Sequence, residues 1–161
     1  MIAYKELQDV LRITVDWEKK LNDLYDVAEF GVKKSESKEA IYFLKEKQLS
    51  NIEILSNIKV ENYGPTEWVK FAFDYKENEL IPAKDINKES SASEIFDYIL
   101  EYEEKLRSFY DTITGKVVSE RQKDLFGSLV RLKKTRSIES GIICGRIYNF
   151  LWFPKCSRLR K

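Results

Sequence analysis

Residues 17–26 read WEKKLNDLYD and residues 102–111 read YEEKLRSFYD, and the two stretches align without a gap at an offset of 85. Glu, Lys, Leu, Tyr and Asp recur at equivalent places, and the same offset pairs Leu44 with Leu129. Self-similarity at a fixed offset indicates repeated structural units. The chain therefore has two similar halves, separated by a middle segment of different character.

Each half carries apolar side chains at the alternating three- and four-residue spacing of helices that pack in a bundle. Four inward rows can be traced, and in each of them apolar residues lie above and below a polar layer. The rows are Leu11, Thr14, Glu18, Leu21, Tyr25, Ala28 and Val32; Ile41, Leu44, Gln48, Asn51, Leu55 and Ile58; Phe96, Ile99, Glu103, Leu106, Tyr110, Ile113 and Val117; and Phe126, Leu129, Lys133, Arg136, Ser140, Ile143 and Ile147. These rows predict helices at about residues 3–33, 38–60, 92–114 and 119–150.

Short polar turns near residues 34–38 and 114–119 favour antiparallel helix pairs. Residues 91–94 (SASE) and 119–122 (SERQ) have the pattern of a capping box, which marks the start of a helix. We therefore predict a single all-α domain over residues 1–161, an antiparallel four-helix bundle made of two helical hairpins joined by a long crossover.

The crossover covers about residues 61–91 and contains Gly64-Pro65 and Pro82. Within it, the residues at positions 69, 71, 73 and 75 are apolar or aromatic and alternate with others, as in a short strand. A loop with buried aromatic side chains is an equally good interpretation of this pattern. The sequence leaves the two open.

Composition excludes some classes of function. Histidine is absent, so neither an imidazole base nor an imidazole metal ligand is available. Cys144 and Cys156 lack metal-site spacing, and no N-terminal signal or apolar run of membrane-spanning length is present. These features predict a reduced, cytoplasmic protein.

The polar layer is where chemistry is expected. Carboxylates at matching depth on two helices of a bundle suggest a dinuclear metal site, whose usual pattern is a Glu on each of two helices and Glu-x-x-His on each of the other two. Glu18 and Glu103 supply the first part of that pattern. The residues of the layer are Glu18, Gln48, Asn51, Glu103, Lys133 and Arg136.

In this respect the chain resembles the ferritin-like superfamily, and within it the rubrerythrin-type proteins. The resemblance rests on an E-x5-[FL]-Y stretch in each half, which ends at Tyr25 and at Tyr110. It implies that Glu18 and Glu103 occupy ligand positions of a di-iron centre. The family's Glu-x-x-His positions fall here on Gln48-x-x-Asn51 and on Lys133-x-x-Arg136, so two ligand positions hold amides and two hold cations.

We interpret this departure as a replacement of the metals. Two buried carboxylates need counter-charges, and Lys133 and Arg136 balance Glu18 and Glu103. We therefore expect a charge-neutral hydrogen-bonded network, with no cofactor and no catalytic residue. Two alternatives remain at this point: the glutamates could be solvated, or Lys133 could extend along apolar neighbours to the surface. Tyr25 and Tyr110 are interpreted as core aromatic residues.

The function predicted is that of a non-catalytic binding or scaffold module, with an unidentified protein partner or a second copy as partner. One alternative is a residual iron or manganese oxidase or peroxidase that uses Glu18 and Glu103. Supplementary carboxylates would then come from Glu46, Glu53 and Glu104. Another is an enzyme in which Lys133 acts as a base or nucleophile.

A further alternative concerns the basic C-terminal tail, at about residues 152–161. Residues 116–161 hold 12 Lys and Arg against 3 Asp and Glu, and aromatic side chains interleave with the cations near the end. This mixture suits nucleic-acid stacking or contact with a membrane surface; a solvated basic terminus is the simpler interpretation. The candidate contact residues are Arg146, Tyr148, Trp152, Lys155, Arg158 and Arg160.

Overall fold

A computed structural model of the chain describes residues 3–32, 35–63, 69–71, 90–117 and 119–149. Its regular elements are dominated by four long helices. They are α1 (Leu7–Gly31), α2 (Ser35–Ser56), α3 (Ala92–Thr114) and α4 (Glu120–Asn149). A short 3-10 turn, Val60–Tyr63, follows α2. The all-α class is therefore confirmed for the described part of the chain.

The N-terminus differs from the expectation. We predicted that the first helix begins at about residue 3, whereas strand β1 (Ala3–Lys5) precedes α1. It pairs antiparallel with strand β2 (Val69–Phe71), with Ala3 opposite Phe71 and Lys5 opposite Val69. The predicted start was wrong because a hydrogen-bonding partner far along the chain overrides local helix propensity. Of the two interpretations of the crossover, the strand holds at Val69–Phe71, and the rest of its alternating stretch lies outside the described residues.

Helix α3 has the predicted bounds, and α4 lies within one residue of them at each end. Helix α2 begins at Ser35 and ends at Ser56, so it is shifted towards the N-terminus by about one turn. The predicted capping box at the start of α3 is confirmed. The Ser91 Oγ accepts a hydrogen bond from the Glu94 backbone N at 3.3 Å, and the Glu94 carboxylate accepts one from the Ser91 backbone N at 2.8 Å.

The helices bury the predicted rows. Every member of the rows on α1 and α3 is buried, including the polar ones. On α2 and α4 the described members of the rows are buried or half-buried. The core forms where α1 packs on α2 and on α3, and where α3 packs on α4. The Trp17 ring meets the Phe109 ring edge-on, with centroids 4.6 Å apart, so large aromatic groups fill the space between the two halves.

None of the helices in the described part of the chain is both long enough and apolar enough to cross a lipid bilayer. The polar outer faces account for this finding. Helix α3, for instance, carries the ion pairs Lys105–Glu101 and Arg107–Glu104 on its outer side.

The capping box gives a first prediction. Replacing Ser91 with Ala should lower the free energy of unfolding by about 1 kcal/mol, because the Glu94 backbone N–H loses its side-chain acceptor and the Glu94 carboxylate loses the hydroxyl that donates to it. Urea denaturation followed by circular dichroism measures the change. Ser50→Ala, at an exposed site inside α2, is the matched control and should leave stability within a few tenths of a kcal/mol. Equal losses in both variants would contradict the assignment.

Candidate functional site

The six residues of the predicted polar layer come from all four helices. Glu18 lies on α1, Gln48 and Asn51 on α2, Glu103 on α3, and Lys133 and Arg136 on α4. Five of the side chains are no more than 2% exposed, and Asn51 is half-buried. The interpretation of solvated glutamates is therefore wrong. The interpretation of Lys133 as a residue that reaches the surface is also wrong, since Lys133 is 1% exposed.

Glu18 is the centre of the layer. Lys133 Nζ donates to Glu18 Oε2 at 2.5 Å, and Gln48 Nε2 donates to the same oxygen at 2.6 Å. Tyr110 OH donates to Oε1 at 2.6 Å. Gln48 Nε2 also lies 3.0 Å from the backbone O of Glu18. Both carboxylate oxygens are thus satisfied, by one group from each of the other three helices.

Glu103 is bonded less completely. Tyr25 OH donates to Glu103 Oε1 at 2.8 Å, whereas Glu103 Oε2 has no hydrogen-bond partner in the described part of the chain. Arg136 does not form an ion pair with either carboxylate there; its Nη1 donates to the backbone O of Leu44 at 3.2 Å. The two cations therefore have different roles. Lys133 forms an ion pair with Glu18, whereas Arg136 affects Glu103 only by its charge, which opposes the rise that burial causes in the pKa of Glu103.

The two tyrosines connect the halves of the chain crosswise. Glu18 accepts from Tyr110, and Glu103 accepts from Tyr25, so each repeat supplies the donor for the glutamate of the other. As the numbering rises along α1 from 18 to 25, the partners on α3 fall from 110 to 103. Both tyrosines lie in the core, as predicted, but their hydrogen bonds to the glutamates were not predicted. The available signal was the equal Glu-to-Tyr spacing in both repeats.

The environment shifts the pKa values of the two glutamates in opposite directions. Burial raises the pKa of Glu18, but the charge and hydrogen bond of Lys133, together with Tyr110 and Gln48, lower it more, so it lies below 4.5. For Glu103, burial raises the pKa and outweighs the lowering effects of Lys133, Tyr25 and Arg136, so it lies above 4.5. Burial also raises the pKa of Tyr25 and of Tyr110 well above 10.0, which keeps both phenols protonated as donors.

The layer does not fit the metal pair that the resemblance implies. Lys133 Nζ contacts Glu18 Oε2 and neutralises the carboxylate, and affinity at an oxygen-ligand site depends on its negative charge. The described residues contain no group of three or more His, Cys, Asp or Glu that could hold a metal ion. The supplementary carboxylates proposed above are all exposed, and Glu104 pairs with Arg107. They are Glu46, Glu53 and Glu104.

The tail candidates receive no side-chain description. Arg146 and Tyr148 belong to the last turn of α4, where only the backbone is described. The other four, namely Trp152, Lys155, Arg158 and Arg160, lie outside the described residues. The prediction of nucleic-acid or membrane contact through this tail therefore stays a prediction.

Comparison with known proteins gives no assignment: no family model matches the sequence, and neither a curated protein nor a solved structure is significantly similar to it. The internal repeat and the geometry of the layer are therefore the basis for any functional argument.

The ion pair at the centre of the layer gives a second prediction. Lys133→Met should lower the free energy of unfolding by about 3–5 kcal/mol at neutral pH, because it leaves the Glu18 carboxylate buried without its counter-charge. Adding Glu18→Gln to this variant should recover much of the loss, since the double variant removes both charges of the Lys133–Glu18 pair. Urea denaturation of the four members of the double-mutant cycle measures the coupling.

The exposed pair Lys123–Glu120 provides the control for this cycle. Lys123→Met should change stability by no more than about 1 kcal/mol, because exposed ion pairs contribute little. A Lys133→Met variant as stable as Lys123→Met would show that the buried pair is not needed.

The opposite pKa shifts give a third prediction. Glu103 has a folded pKa above its unfolded value, so its contribution to stability is full below pH 4.5 and is lost as the pH rises through the folded pKa. Wild type should therefore lose stability relative to Glu103→Gln as the pH rises from 4.5 towards neutrality. Glu18 has a lowered pKa, so wild type should lose stability relative to Glu18→Gln as the pH falls below 4.5. Urea unfolding of the three proteins across this pH range tests both signs; parallel curves would refute them.

Proposed function

We propose that this protein is a ferritin-like four-helix bundle in which an internal ion-pair and hydrogen-bond network takes the place of a dinuclear metal centre, and that it acts as a non-catalytic binding or scaffold module. The observation that carries the proposal is the contact of Lys133 Nζ with Glu18 Oε2 at 2.5 Å, between side chains that are 1% and 2% exposed. A protein cation holds the carboxylate that a metal would otherwise require.

The contacts between helices support two antiparallel hairpins. Gln48 bonds to Glu18, while Lys45, earlier on α2, pairs with Asp26 and Glu29, later on α1. The numbering thus rises along one helix as it falls along the other, and only residues 32–34 separate the two. The sequence repeat implies the same arrangement for α3 and α4, which pack on each other and are separated by residues 115–119.

The non-catalytic part of the proposal follows from access and from chemistry. The charged groups of the layer are at most 2% exposed, so a substrate could not reach them without opening the bundle. Glu18 has both oxygens occupied, and Lys133 is committed to it by a short charged hydrogen bond. Neither group is available as a base or nucleophile in this arrangement.

A binding role then depends on the surface. Large apolar side chains are exposed on α1 and α2, with Phe30 90% exposed and Ile54 63% exposed. Contiguous apolar surface is typical of sites that meet another protein, and on this proposal these side chains belong to such a surface. A second copy of the chain or a different protein is the partner class proposed.

The fourth prediction tests the replacement of the metals. Protein purified without chelator and then loaded anaerobically with Fe(II) or Mn(II) should retain no stoichiometric metal, because Lys133 and Arg136 cancel the charge of the two glutamates. Elemental analysis after gel filtration measures the content, and the melting temperature should not respond to added metal.

Glu18→Ala/Glu103→Ala, and Glu104→Ala as a surface control, separate specific from adventitious binding. Near-stoichiometric metal that persists in Glu104→Ala and is lost in the double variant would overturn the proposal and support a residual di-metal oxidase or peroxidase.

A further inference from the structure

Four buried polar atoms of the layer have no hydrogen-bond partner within the described part of the chain. They are Gln48 Oε1, Asn51 Nδ2, Glu103 Oε2 and Arg136 Nη2. A fifth, Asn22 Oδ1, lies one turn after Glu18 on α1. Native proteins leave very few buried polar groups unpaired, so several of them in one layer point to a ligand that satisfies them.

The contacts of these residues place them near one another. Arg136 Nη1 donates to the backbone O of Leu44, which lies on α2 one turn before Gln48. Burial raises the pKa of Tyr25, and Arg136 opposes that rise, so the two side chains lie close together. The Tyr25 OH donates to the other oxygen of Glu103. The guanidinium of Arg136 therefore contacts α2 one turn before Gln48, and its charge is near enough to Glu103 to oppose the rise that burial causes in the pKa of that carboxyl.

The four atoms of the layer are of mixed polarity. Gln48 Oε1 and Glu103 Oε2 accept hydrogen bonds, whereas Asn51 Nδ2 and Arg136 Nη2 donate them. The amide of Gln48 is fixed in this orientation because its Nε2 already donates twice to Glu18. A ligand must therefore donate to two atoms and accept from two others.

We propose that the layer binds ordered internal water, which bridges Gln48, Asn51, Glu103 and Arg136. Water has two donor and two acceptor positions and so complements the two acceptors and two donors. A small anion would satisfy Arg136 and Asn51 but would face the oxygens of Gln48 and Glu103. A metal cation would face Arg136 and the ammonium of Lys133. Only a small neutral molecule with both donors and acceptors suits all four atoms.

This inference goes beyond the proposed function, because it depends on the unpaired atoms and not on the ferritin-like assignment. It assigns to the layer a second component besides the ion pair of Glu18 and Lys133. Water would then complete the hydrogen bonds of Glu103, as Lys133, Gln48 and Tyr110 complete those of Glu18. Metal loading could fail or succeed without deciding whether water is bound.

The test is magnetic relaxation dispersion of water ¹⁷O, which detects water molecules that stay in a protein for longer than its tumbling time. Wild type should show a dispersion from long-lived water, and Asn51→Leu should reduce its amplitude, because the variant removes one donor and adds an apolar group. Asn57→Leu, at an exposed site just after α2, is the matched control and should keep the wild-type amplitude. Equal amplitudes in all three proteins, or none in wild type, would overturn the proposal.

A crystal structure of the wild-type protein gives a second readout that does not depend on a variant folding. We expect spherical density within about 3.2 Å of at least three of the four atoms. Elongated density of a bound oxyanion, or direct hydrogen bonds among the four side chains, would contradict the assignment of water.

Discussion

The carboxylate of Glu18 is the point on which the structure depends. It accepts hydrogen bonds from Gln48 of α2, Tyr110 of α3 and Lys133 of α4, so one side chain of α1 contacts the three other long helices. A buried charge is tolerated only when its partners are in place. Packings that bring these three donors to Glu18 are therefore favoured over packings that leave its charge unpaired, whereas apolar packing alone tolerates many substitutions.

The two halves of the chain share a repeated pattern, but some equivalent positions hold different residues. Glu18 and Glu103 are equivalent in the repeat, as are Tyr25 and Tyr110, and the crosswise Tyr–Glu hydrogen bonds follow this equivalence. The equivalents of Gln48 and Asn51, however, are Lys133 and Arg136. Both oxygens of Glu18 consequently accept hydrogen bonds and its pKa is lowered, while one oxygen of Glu103 has no partner among the described residues and its pKa is raised. Glu18 and Glu103 thus hold equivalent positions in the repeat, but their pKa values are shifted in opposite directions.

This asymmetry bears on function. A site that recruits metal needs several negative ligands, whereas this layer combines an ion pair, a second carboxylate, two amides and a second cation, with every side chain but that of Asn51 buried. Such a network favours one specific packing of the helices over alternatives. On the proposed function, the interior specifies the fold and the surface carries whatever interaction the protein makes.

The sequence by itself determined the helices, their inward rows and the members of the polar layer, because helical periodicity and capping are local properties of the chain. The tertiary structure alone decided which cation pairs with which glutamate. Lys133 and Arg136 are one turn apart, and only the relative depth of the helices brings Lys133 to Glu18 and Arg136 to Leu44. The tertiary structure also decided the crosswise hydrogen bonds between Tyr and Glu and the strand at Ala3–Lys5. Both depend on partners that are distant in sequence, which local propensity does not encode.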